Sequence, residues 1–320
     1  MTTSIFIAGF GRSGTTPLRD ALGSHPDIYA MPYELRFLTD PDGILSLESA
    51  LIDNWSLWQS DIAIKRFKLL MKNLGSKYTG TYALSNFKAI FRDSYQSSID
   101  HYVDNLVTFQ YRGVWAGIAT LFNKSLMRAF HHKPNILNSE TIYYCAPLTP
   151  DEFCTHTRKF FNDIFADRLR RDGKKIWLVH EPMMTFSLPR LQRYFPDGKF
   201  IVVMRDPRDV AASLQHRDWG PKSLEQVAIW QRDCYLKWFE VKKNLQPSSY
   251  YELKFEEWVQ SPAQTIENIS KYLDINVKSV MNNFDLSAAH AGRWRNQFTP
   301  GQADLMQSIL GDVLKRFGYQ

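Results

Sequence analysis

The chain has 320 residues, a formal net charge of +6 and 44% hydrophobic residues, a composition typical of an ordinary globular protein with a sizeable core. No dense block of Lys and Arg suggests nucleic-acid binding, and no run of 18 apolar residues predicts a membrane span. The three cysteines, Cys145, Cys154 and Cys234, lack the spacing of a disulfide framework or a metal site. We therefore expect a cytoplasmic protein.

The first predicted element is a short buried strand from Ser4 to Ala8, which stops at Gly9. The segment that follows is Gly9-Phe10-Gly11-Arg12-Ser13-Gly14-Thr15-Thr16, whose glycines have the spacing of the P-loop, G-x-x-x-x-G-K-[ST]. From Thr15 the apolar residues Leu18, Ala21 and Leu22 recur at helical spacing, and we expect this helix to end near Gly23–His25, ahead of Pro26. A Gly-rich turn between a strand and a helix directs backbone N–H groups and the positive end of the helix dipole at one spot, so we expect an anion-binding loop.

Thr15 stands where the P-loop has its lysine. Arg12 would supply the fixed positive charge instead, with a planar guanidinium that suits oxyanions. The hydroxyl groups of Ser13, Thr15 and Thr16 would add hydrogen-bond donors. The loop thus retains the means to bind an anion without the lysine of a nucleoside triphosphatase.

A second short strand is predicted from Ile28 to Met31, and Tyr33-Glu34-Leu35-Arg36 follows it. Residues 44–150 then contain several helix-like stretches rich in Lys, Phe, Tyr and Trp, separated by Gly and Asn. We expect a helical insertion that packs over the sheet, part of which would wall a ligand pocket.

The alternation of strands and helices resumes after Gly173. Strands are predicted over 175–179, 199–204 and 250–255, and helices over 188–194, 209–216, 223–243, 262–273 and 300–317. Such alternation predicts an α/β fold with a central parallel sheet, right-handed crossovers and helices on both faces. We expect this P-loop-like, three-layer fold to form a single domain over residues 1–320.

A second candidate anion site follows the apolar strand 199–204, in the segment Arg205-Asp206-Pro207-Arg208-Asp209-Val210-Ala211-Ala212-Ser213. Arg205 lies at the carboxyl end of the strand, where open α/β sheets bind ligands. Ser213 lies about two turns into the next helix, on a face able to point back to the same anion. A nucleoside triphosphatase usually has an acidic Mg²⁺ ligand after this strand. Because Arg205 stands there instead, we expect two separate anion sites and no metal.

These motifs resemble those of the sulfotransferase superfamily, whose donor is 3′-phosphoadenosine 5′-phosphosulfate (PAPS). Residues 11–16 are similar to its 5′-phosphosulfate loop, and residues 205–214 to its 3′-phosphate motif. The resemblance extends to Phe255-Glu256-Glu257-Trp258 and to Gly292-Arg293-Trp294-Arg295, and it covers residues 4–40, 174–275 and 290–319. It implies in-line transfer of a sulfuryl group from PAPS to an acceptor.

The resemblance also implies roles for single residues. Those that would bind PAPS are Gly11, Arg12, Ser13, Gly14, Thr15 and Thr16 at the 5′-phosphosulfate, and Arg205 and Ser213, joined by Arg293 or Arg295, at the 3′-phosphate. Glu34 occupies the base position of the Glu-x-Arg segment found in tyrosylprotein and several bacterial sulfotransferases, and Arg36 would orient it or the acceptor. Arg12 would also stabilise charge during transfer.

His180 is a second candidate for the base. It follows the strand predicted over 175–179, where many relatives carry a lysine, and it would act as base or contact the sulfuryl group. The acceptor is expected to be a carbohydrate or another hydroxylated small molecule, with peptide tyrosine and lipid as alternatives. Two other functions remain open: a P-loop kinase or hydrolase, and a non-catalytic nucleotide-binding protein. The oligomeric state is not predicted.

Overall fold

The computed structural model describes residues 4–75, 85–115, 140–215, 217–276 and 291–319. The chain divides into two compact units, Met1–Leu35 with Leu169–Gln320, and Arg36–Arg168. The single domain expected over residues 1–320 stays a prediction. No helix in the described ranges combines the length and the apolar character needed to cross a membrane.

The first unit is built on a five-stranded sheet in the order β2-β5-β1-β6-β7. Its strands are β1 (Ser4–Gly9), β2 (Ile28–Ala30), β5 (Ile176–His180), β6 (Lys199–Met204) and β7 (Tyr251–Lys254). Every neighbouring pair is parallel. The central strand β1 pairs its Ile7 with His180 on one side and its Gly9 with Val203 on the other. The predicted α/β fold with a parallel sheet is confirmed.

Helices alternate with these strands along the chain. Those of the first unit are α1 (Thr15–Gly23), α8 (Leu188–Tyr194), α9 (Pro207–Leu214), α10 (Leu224–Lys242), α11 (Phe255–Gln260), α12 (Pro262–Leu273), α13 (Trp294–Gln297) and α14 (Pro300–Phe317). A 3-10 helix, Pro182–Ser187, links β5 to α8, and a second one, Pro247–Ser249, precedes β7.

Successive residues of a strand point to opposite faces of the sheet, and here both faces are covered. Ile5 and Ile7 of β1 belong to a buried cluster with residues of α1, α11 and α12. Phe6 points the other way, and its ring lies 5.1 Å from that of Trp177 and 4.8 Å from that of Phe195. The sheet is therefore the middle layer of a three-layer arrangement.

The second unit is mostly helical where it is described. Its helices are α2 (Arg36–Thr39), α3 (Ile44–Glu48), α4 (Leu57–Leu74), α5 (Phe87–Phe91), α6 (Asp93–Leu106) and α7 (Pro150–Asp172, whose last residues belong to the first unit), with a π-helical turn at Ser49–Asp53. Two antiparallel strands, β3 (Phe109–Gly113) and β4 (Glu140–Tyr144), accompany them.

The helical insertion predicted over residues 44–150 also contains this pair of strands, which the sequence analysis did not predict. The strands pair across a long sequence separation, with the rings of Phe109 and Tyr144 stacked 4.5 Å apart. Each strand is too short for its alternation of apolar and polar residues to identify it from the sequence without its pairing partner. Residues 76–84 and 116–139 of the predicted insertion lie outside the described residues.

Predicted bounds in the first unit are confirmed for 188–194, 199–204, 262–273 and 300–317. The helix expected from Asp209 begins earlier, at Pro207, because the Asp206 side chain caps it by accepting a hydrogen bond from the Arg208 N–H. Its predicted last residue, His216, lies outside the described residues. The strand expected to reach Phe255 ends at Lys254, and Phe255 opens α11.

Candidate functional site

The loop between β1 and α1 is a tight turn held by its own residues. The Ser13 N–H donates to the Phe10 carbonyl at 3.0 Å, and the Phe10 N–H donates to Ser13 Oγ at 3.2 Å. Arg12, between them, adopts a left-handed backbone conformation with φ of 68°. Ser13 is completely buried and its hydroxyl closes the loop, so its predicted part in donor binding stays a prediction.

Gly14 is the residue at which the loop becomes a helix, and only glycine suits it. Its φ is +102°, and a Cβ there would overlap the ring of Phe255. Gly14 caps α1 without a side-chain hydrogen bond, and the proline at the third helical position has no N–H. The positive end of α1 therefore faces the loop without a capping side chain, with Thr15 buried and Thr16 exposed beside it.

Thr185 ties this loop to the segment after β5. Its Oγ1 accepts a hydrogen bond from the Gly9 N–H at 2.8 Å and lies 2.5 Å from the Gly9 carbonyl, to which it donates. The Gly9 backbone is therefore fixed at the end of β1. A Cβ at Gly9 would lie 2.6 Å from the Val203 carbonyl oxygen, which explains the glycine.

The two predicted anion motifs meet each other. Arg12 Nε donates to Ser213 Oγ at 3.0 Å, and Arg205 Nη1 donates to the Arg12 carbonyl at 3.0 Å. The reason is that β1 and β6 are neighbours in the sheet, about 4.8 Å apart, so the residues that follow them are in reach of one another. The expectation of two anion sites stays a prediction. Arg12, Arg205 and Ser213 form one continuous surface.

Four arginines give this surface a strong positive charge. Partial burial, followed by the charges of Arg217, Arg205 and Arg293, lowers the pKa of Arg12. Burial also lowers the pKa of Arg205, Asp209 opposes that shift, and Arg293 adds to it. Cations that lie close together are stabilised by a bound anion. We call Arg12, Arg205, Arg217 and Arg293 the arginine cluster.

Asp209 brings the tail of the chain to the arginine cluster. This fully buried carboxylate accepts hydrogen bonds from the N–H groups of Gly292 at 2.7 Å and Trp294 at 3.0 Å. Its Oδ2 also lies 3.9 Å from Arg205 Nη2. Asp209 therefore positions Arg293, which stands between the two bonded residues.

Arg208 and Arg295 flank the Trp294 ring. The Arg208 guanidinium lies 4.1 Å from the ring centre and forms a buried ion pair with Asp206, with Nη2 to Oδ2 at 2.7 Å. Arg295 lies 4.7 Å from the same ring. Of the two predicted tail arginines, Arg293 thus belongs to the arginine cluster, while the contact described for Arg295 is with Trp294.

Phe255 and Tyr235 both contact Arg205. The Arg205 guanidinium carbon lies 4.8 Å from the centre of the Phe255 ring, a cation–π contact. The Arg205 N–H donates to Tyr235 Oη at 3.3 Å, and Tyr235 Oη donates to the Arg205 carbonyl. Next along the chain, the Asp206 N–H donates to Glu256 Oε1 at 2.8 Å. These contacts fix the end of β6, and with it the direction of the Arg205 side chain.

His180 ends β5 and is 3% exposed. Its Nδ1 is buried, with no hydrogen-bond partner among the described residues. Burial and, secondarily, the charge of Arg19 lower the pKa of His180 from 6.5 to about 4. The imidazole is therefore neutral at pH 7.

Glu34 lies in the half-buried loop that follows β2, three residues after Met31. Arg19 Nη1 on α1 donates to the Pro32 carbonyl at 2.8 Å, which fixes this loop to the helix that follows the β1–α1 turn. Because Ala30 of β2 is in register with Leu178 of β5, the loop bearing Glu34 and the strand end at His180 follow neighbouring strands.

Arg36 opens α2 in the second unit, where its Nε donates to Asp40 Oδ2 at 2.9 Å. Its expected role in orienting Glu34 or the acceptor stays a prediction.

Four residues of the site were not predicted from the sequence: Asp209, Thr185, Arg217 and Arg19. Asp209 lies in the recognised segment 205–214, so its place four residues after Arg205 could have identified it from the sequence. The other three act through contacts between elements distant in sequence, and nothing in their local pattern marks them.

The fold and site define a class: a parallel α/β protein with a P-loop-like turn that lacks the lysine and a cluster of arginines at the neighbouring strand end. The sequence agrees, since a model of the sulfotransferase family matches residues 4–279. The chain belongs to the sulfotransferase family.

Individual relatives are distant. Over 191 residues the chain is 24% identical to an omega-hydroxy-beta-dihydromenaquinone-9 sulfotransferase of Mycobacterium bovis, an alignment that covers 54% of this chain and 48% of the relative. It is 25% identical over 129 residues to a putative protein-tyrosine sulfotransferase of Caenorhabditis briggsae, covering 38% and 45%. The chain thus matches just under half the length of these curated relatives.

Among solved structures, the chain is similar to the sulfotransferase domain of the Synechococcus PCC 7002 olefin synthase. The TM-score is 0.47 at 15% identity, with 96% of this chain and 93% of that domain covered.

Proposed function

We propose that this protein transfers a sulfuryl group from PAPS to the hydroxyl of an acceptor. The observation that carries the proposal is the row of groups along the carboxyl edge of the sheet. In the strand order β2-β5-β1-β6-β7, these strands are followed by Glu34, His180 (the last residue of its strand), the anion-binding loop, Arg205 and Phe255. A candidate base and a site for two anionic groups therefore stand side by side.

The arginine cluster fits the donor's anionic groups. Arg12 and the positive end of α1 would hold the 5′-phosphosulfate, and Arg205, Arg293 and Ser213 would hold the 3′-phosphate. The direct contact between Arg12 and Ser213 supports one ligand spanning both. The same donors would stabilise negative charge on the sulfuryl group and on the leaving phosphate oxygen.

The reaction requires one proton transfer. As the acceptor oxygen bonds to sulfur, the bond from sulfur to the bridging phosphate oxygen breaks, and the acceptor's proton passes to a base on the protein. Glu34 suits this role because its carboxylate becomes a neutral carboxylic acid when it accepts the proton. His180 would become a buried cation near Arg19, which burial and charge disfavour. We assign the base to Glu34 and a contact by the neutral imidazole to His180.

A kinase or hydrolase acting through Mg²⁺ is less well supported. Asp206, the acidic residue nearest the end of β6, is held in the ion pair with Arg208 and caps α9. The relatives' names include a menaquinone-derived lipid and protein tyrosine as acceptor types, so the predicted carbohydrate acceptor competes with these classes. The cytoplasmic location stays a prediction.

Donor binding is tested by thermal unfolding with adenosine 3′,5′-bisphosphate (PAP) and separately with ATP and Mg²⁺. A ligand at 100 times its Kd stabilises the native state by about 2.7 kcal/mol. We expect PAP to raise the Tm, and Arg205→Gln to weaken PAP binding about tenfold or more, since charge-assisted hydrogen bonds contribute about 1.5–3 kcal/mol. Arg232→Gln, at an exposed arginine of α10, is the matched control. Stabilisation by ATP and Mg²⁺ alone would refute the proposal.

The base is tested with an acceptor identified by incubating the enzyme with PAPS and candidate acceptors and detecting sulfated products by mass. Glu34→Gln should lower kcat at least 100-fold while leaving PAP affinity unchanged, in line with the usual size of general-base effects. Glu240→Gln, at an exposed carboxylate paired with Lys243, serves as control. Near-normal turnover in Glu34→Gln, with loss in His180→Asn, would transfer the base to His180.

A further inference from the structure

A cleft of about 520 Å³ lies at the amino edge of the parallel sheet in the first unit. Its walls include Lys199, the first residue of β6, Tyr272 near the end of α12, and Ser248 in the 3-10 helix that precedes β7. Arg205 follows the opposite end of β6, about 20 Å from Lys199 along the strand. The cleft is therefore separate from the arginine cluster, and its volume is in the usual range of small-molecule sites, about 300–1,000 Å³.

Side-chain hydrogen bonds fix the walls of this cleft. Gln192 Nε2 on α8 donates to Ser249 Oγ at 2.8 Å and to the Ser249 carbonyl at 3.2 Å. The Phe200 N–H donates to Tyr272 Oη at 3.2 Å, and Tyr272 Oη donates to the Phe200 carbonyl at 3.2 Å. These bonds tie α8 to the 3-10 helix and β6 to α12. The cleft is therefore preformed, so little conformational freedom would be lost when a ligand binds.

The lining contains one cation and one carboxylate that are not neutralised by neighbours. Neither Lys199 nor Asp197 forms an ion pair within the described part of the chain. Lys199 is half-buried, and its Nζ lies 5.3 Å from the centre of the Tyr272 ring, a cation–π contact. Asp197 is exposed in the turn between α8 and β6. Lys199 can therefore donate charge-assisted hydrogen bonds to an anionic group, and Asp197 can accept them from hydroxyl groups.

Neutral hydrogen-bonding groups form the rest of the polar lining. Ser248 is exposed, Ser249 and Gln192 are half-buried, and all three carry side-chain oxygens that accept hydrogen bonds. Tyr272 and Pro196 add apolar surface. Several partners for hydroxyl groups, one cation and a small apolar wall together match a polyhydroxylated ring that carries a single anionic group.

We propose that this cleft binds a monosaccharide that carries one phosphate, sulfate or carboxylate group. Lys199 would hold the anionic group, and Asp197 and Ser248 would hold hydroxyl groups of the sugar ring. A hydrocarbon ligand fits the cleft poorly, because it would take water from Lys199 and Asp197 and supply no polar partner. The site goes beyond the proposed sulfuryl transfer and does not depend on it, since it lies at the other end of the strands from the groups assigned to PAPS.

Titration calorimetry with glucose 6-phosphate, glucose 6-sulfate and glucuronate tests the proposal, and the tightest ligand identifies the anionic group. That ligand should bind about tenfold or more tightly than glucose or inorganic phosphate, since each lacks one half of the recognised chemistry. Lys199→Gln should weaken its binding about tenfold, and Lys199→Arg should retain it. Lys175→Gln, at an exposed lysine that precedes β5 at the same edge, should leave it unchanged. Thermal unfolding checks that each variant is folded.

Two further variants separate the parts of the proposal. Asp197→Asn should reduce the preference for the anionic sugar over inorganic phosphate, whereas Asp233→Asn, at an exposed carboxylate of α10, should not. Arg205→Gln should leave sugar binding unchanged. The proposal is overturned if none of the three sugars binds, if inorganic phosphate binds as tightly as they do, or if Lys199→Gln binds like the wild type. Loss of sugar binding in Arg205→Gln, with retention in Lys199→Gln, would assign the sugar to the arginine cluster and reject the cleft.

Discussion

The protonation state of His180 gives the sharpest quantitative prediction. Its imidazole is 3% exposed, and burial together with Arg19 lowers its pKa from 6.5 to about 4. Lowering the pH should therefore destabilise the protein through this residue. The perturbation is the pH itself, applied to the wild type and to His180→Gln, which keeps a polar side chain and loses the titration.

The sign and size follow from proton linkage. Between pH 6.5 and pH 4 the unfolded chain binds the proton and the folded protein does not, so stability is present above pH 6.5 and is lost as the pH falls. The full difference corresponds to about 3 kcal/mol at about 1.4 kcal/mol per pKa unit. At pH 5 most of this is lost, about 2 kcal/mol relative to pH 7.

Urea unfolding at pH 7, 6 and 5 measures the effect. The stability of the wild type minus that of His180→Gln should fall by about 2 kcal/mol from pH 7 to pH 5. Arg19→Gln should reduce this fall, because removing the nearby positive charge allows the pKa of His180 to rise, whereas Arg66→Gln, at an exposed arginine, should not. A difference that stays constant with pH would refute the burial argument and return His180 to candidacy as the base.

Two further substitutions test how the site is held together. Asp209→Asn should weaken PAP binding about tenfold by titration calorimetry, because it removes the charge that binds two tail N–H groups and faces Arg205; unchanged affinity would show that the tail is positioned otherwise. Gly14→Ala should lower the free energy of unfolding, measured with urea, by at least about 2 kcal/mol, since it combines a left-handed φ with overlap on the Phe255 ring. Adding Phe255→Ala should relieve only the part of this loss that comes from the overlap and leave the part that comes from the left-handed φ.

Much of the first unit could be predicted from its sequence because buried parallel strands read as short apolar runs between turn residues. The runs at Ser4–Gly9 and Lys199–Met204 are of this kind. The order of the strands could not be predicted, since β5 lies between β1 and β2 although the whole second unit separates it from them in sequence. The start of α11 was missed because Phe255 continues the apolar pattern of β7 while its backbone has already turned helical.

The candidate site shows the same division. Arg12, Arg205 and Ser213 were predictable because each lies in a motif with a local spacing. Their mutual contacts were not, because they depend on β1 and β6 being neighbours. Asp209 gains its significance only from what surrounds it, because it binds backbone N–H groups more than 80 positions away in the sequence.

The loop without a lysine can now be understood from its surroundings. A P-loop lysine reaches an anion from within the loop, whereas here the positive charge comes from four segments: Arg12 in the loop, Arg205 after β6, Arg217 after α9 and Arg293 in the tail. Such a cluster is costly until an anion binds, because each guanidinium disfavours the others. Charge assembled from four segments would also make anion binding depend on the whole fold, because displacing the tail at Asp209 removes part of the arginine cluster without touching the loop. The prediction for Asp209→Asn therefore tests whether the loop would bind the proposed donor by itself or only as one part of the arginine cluster.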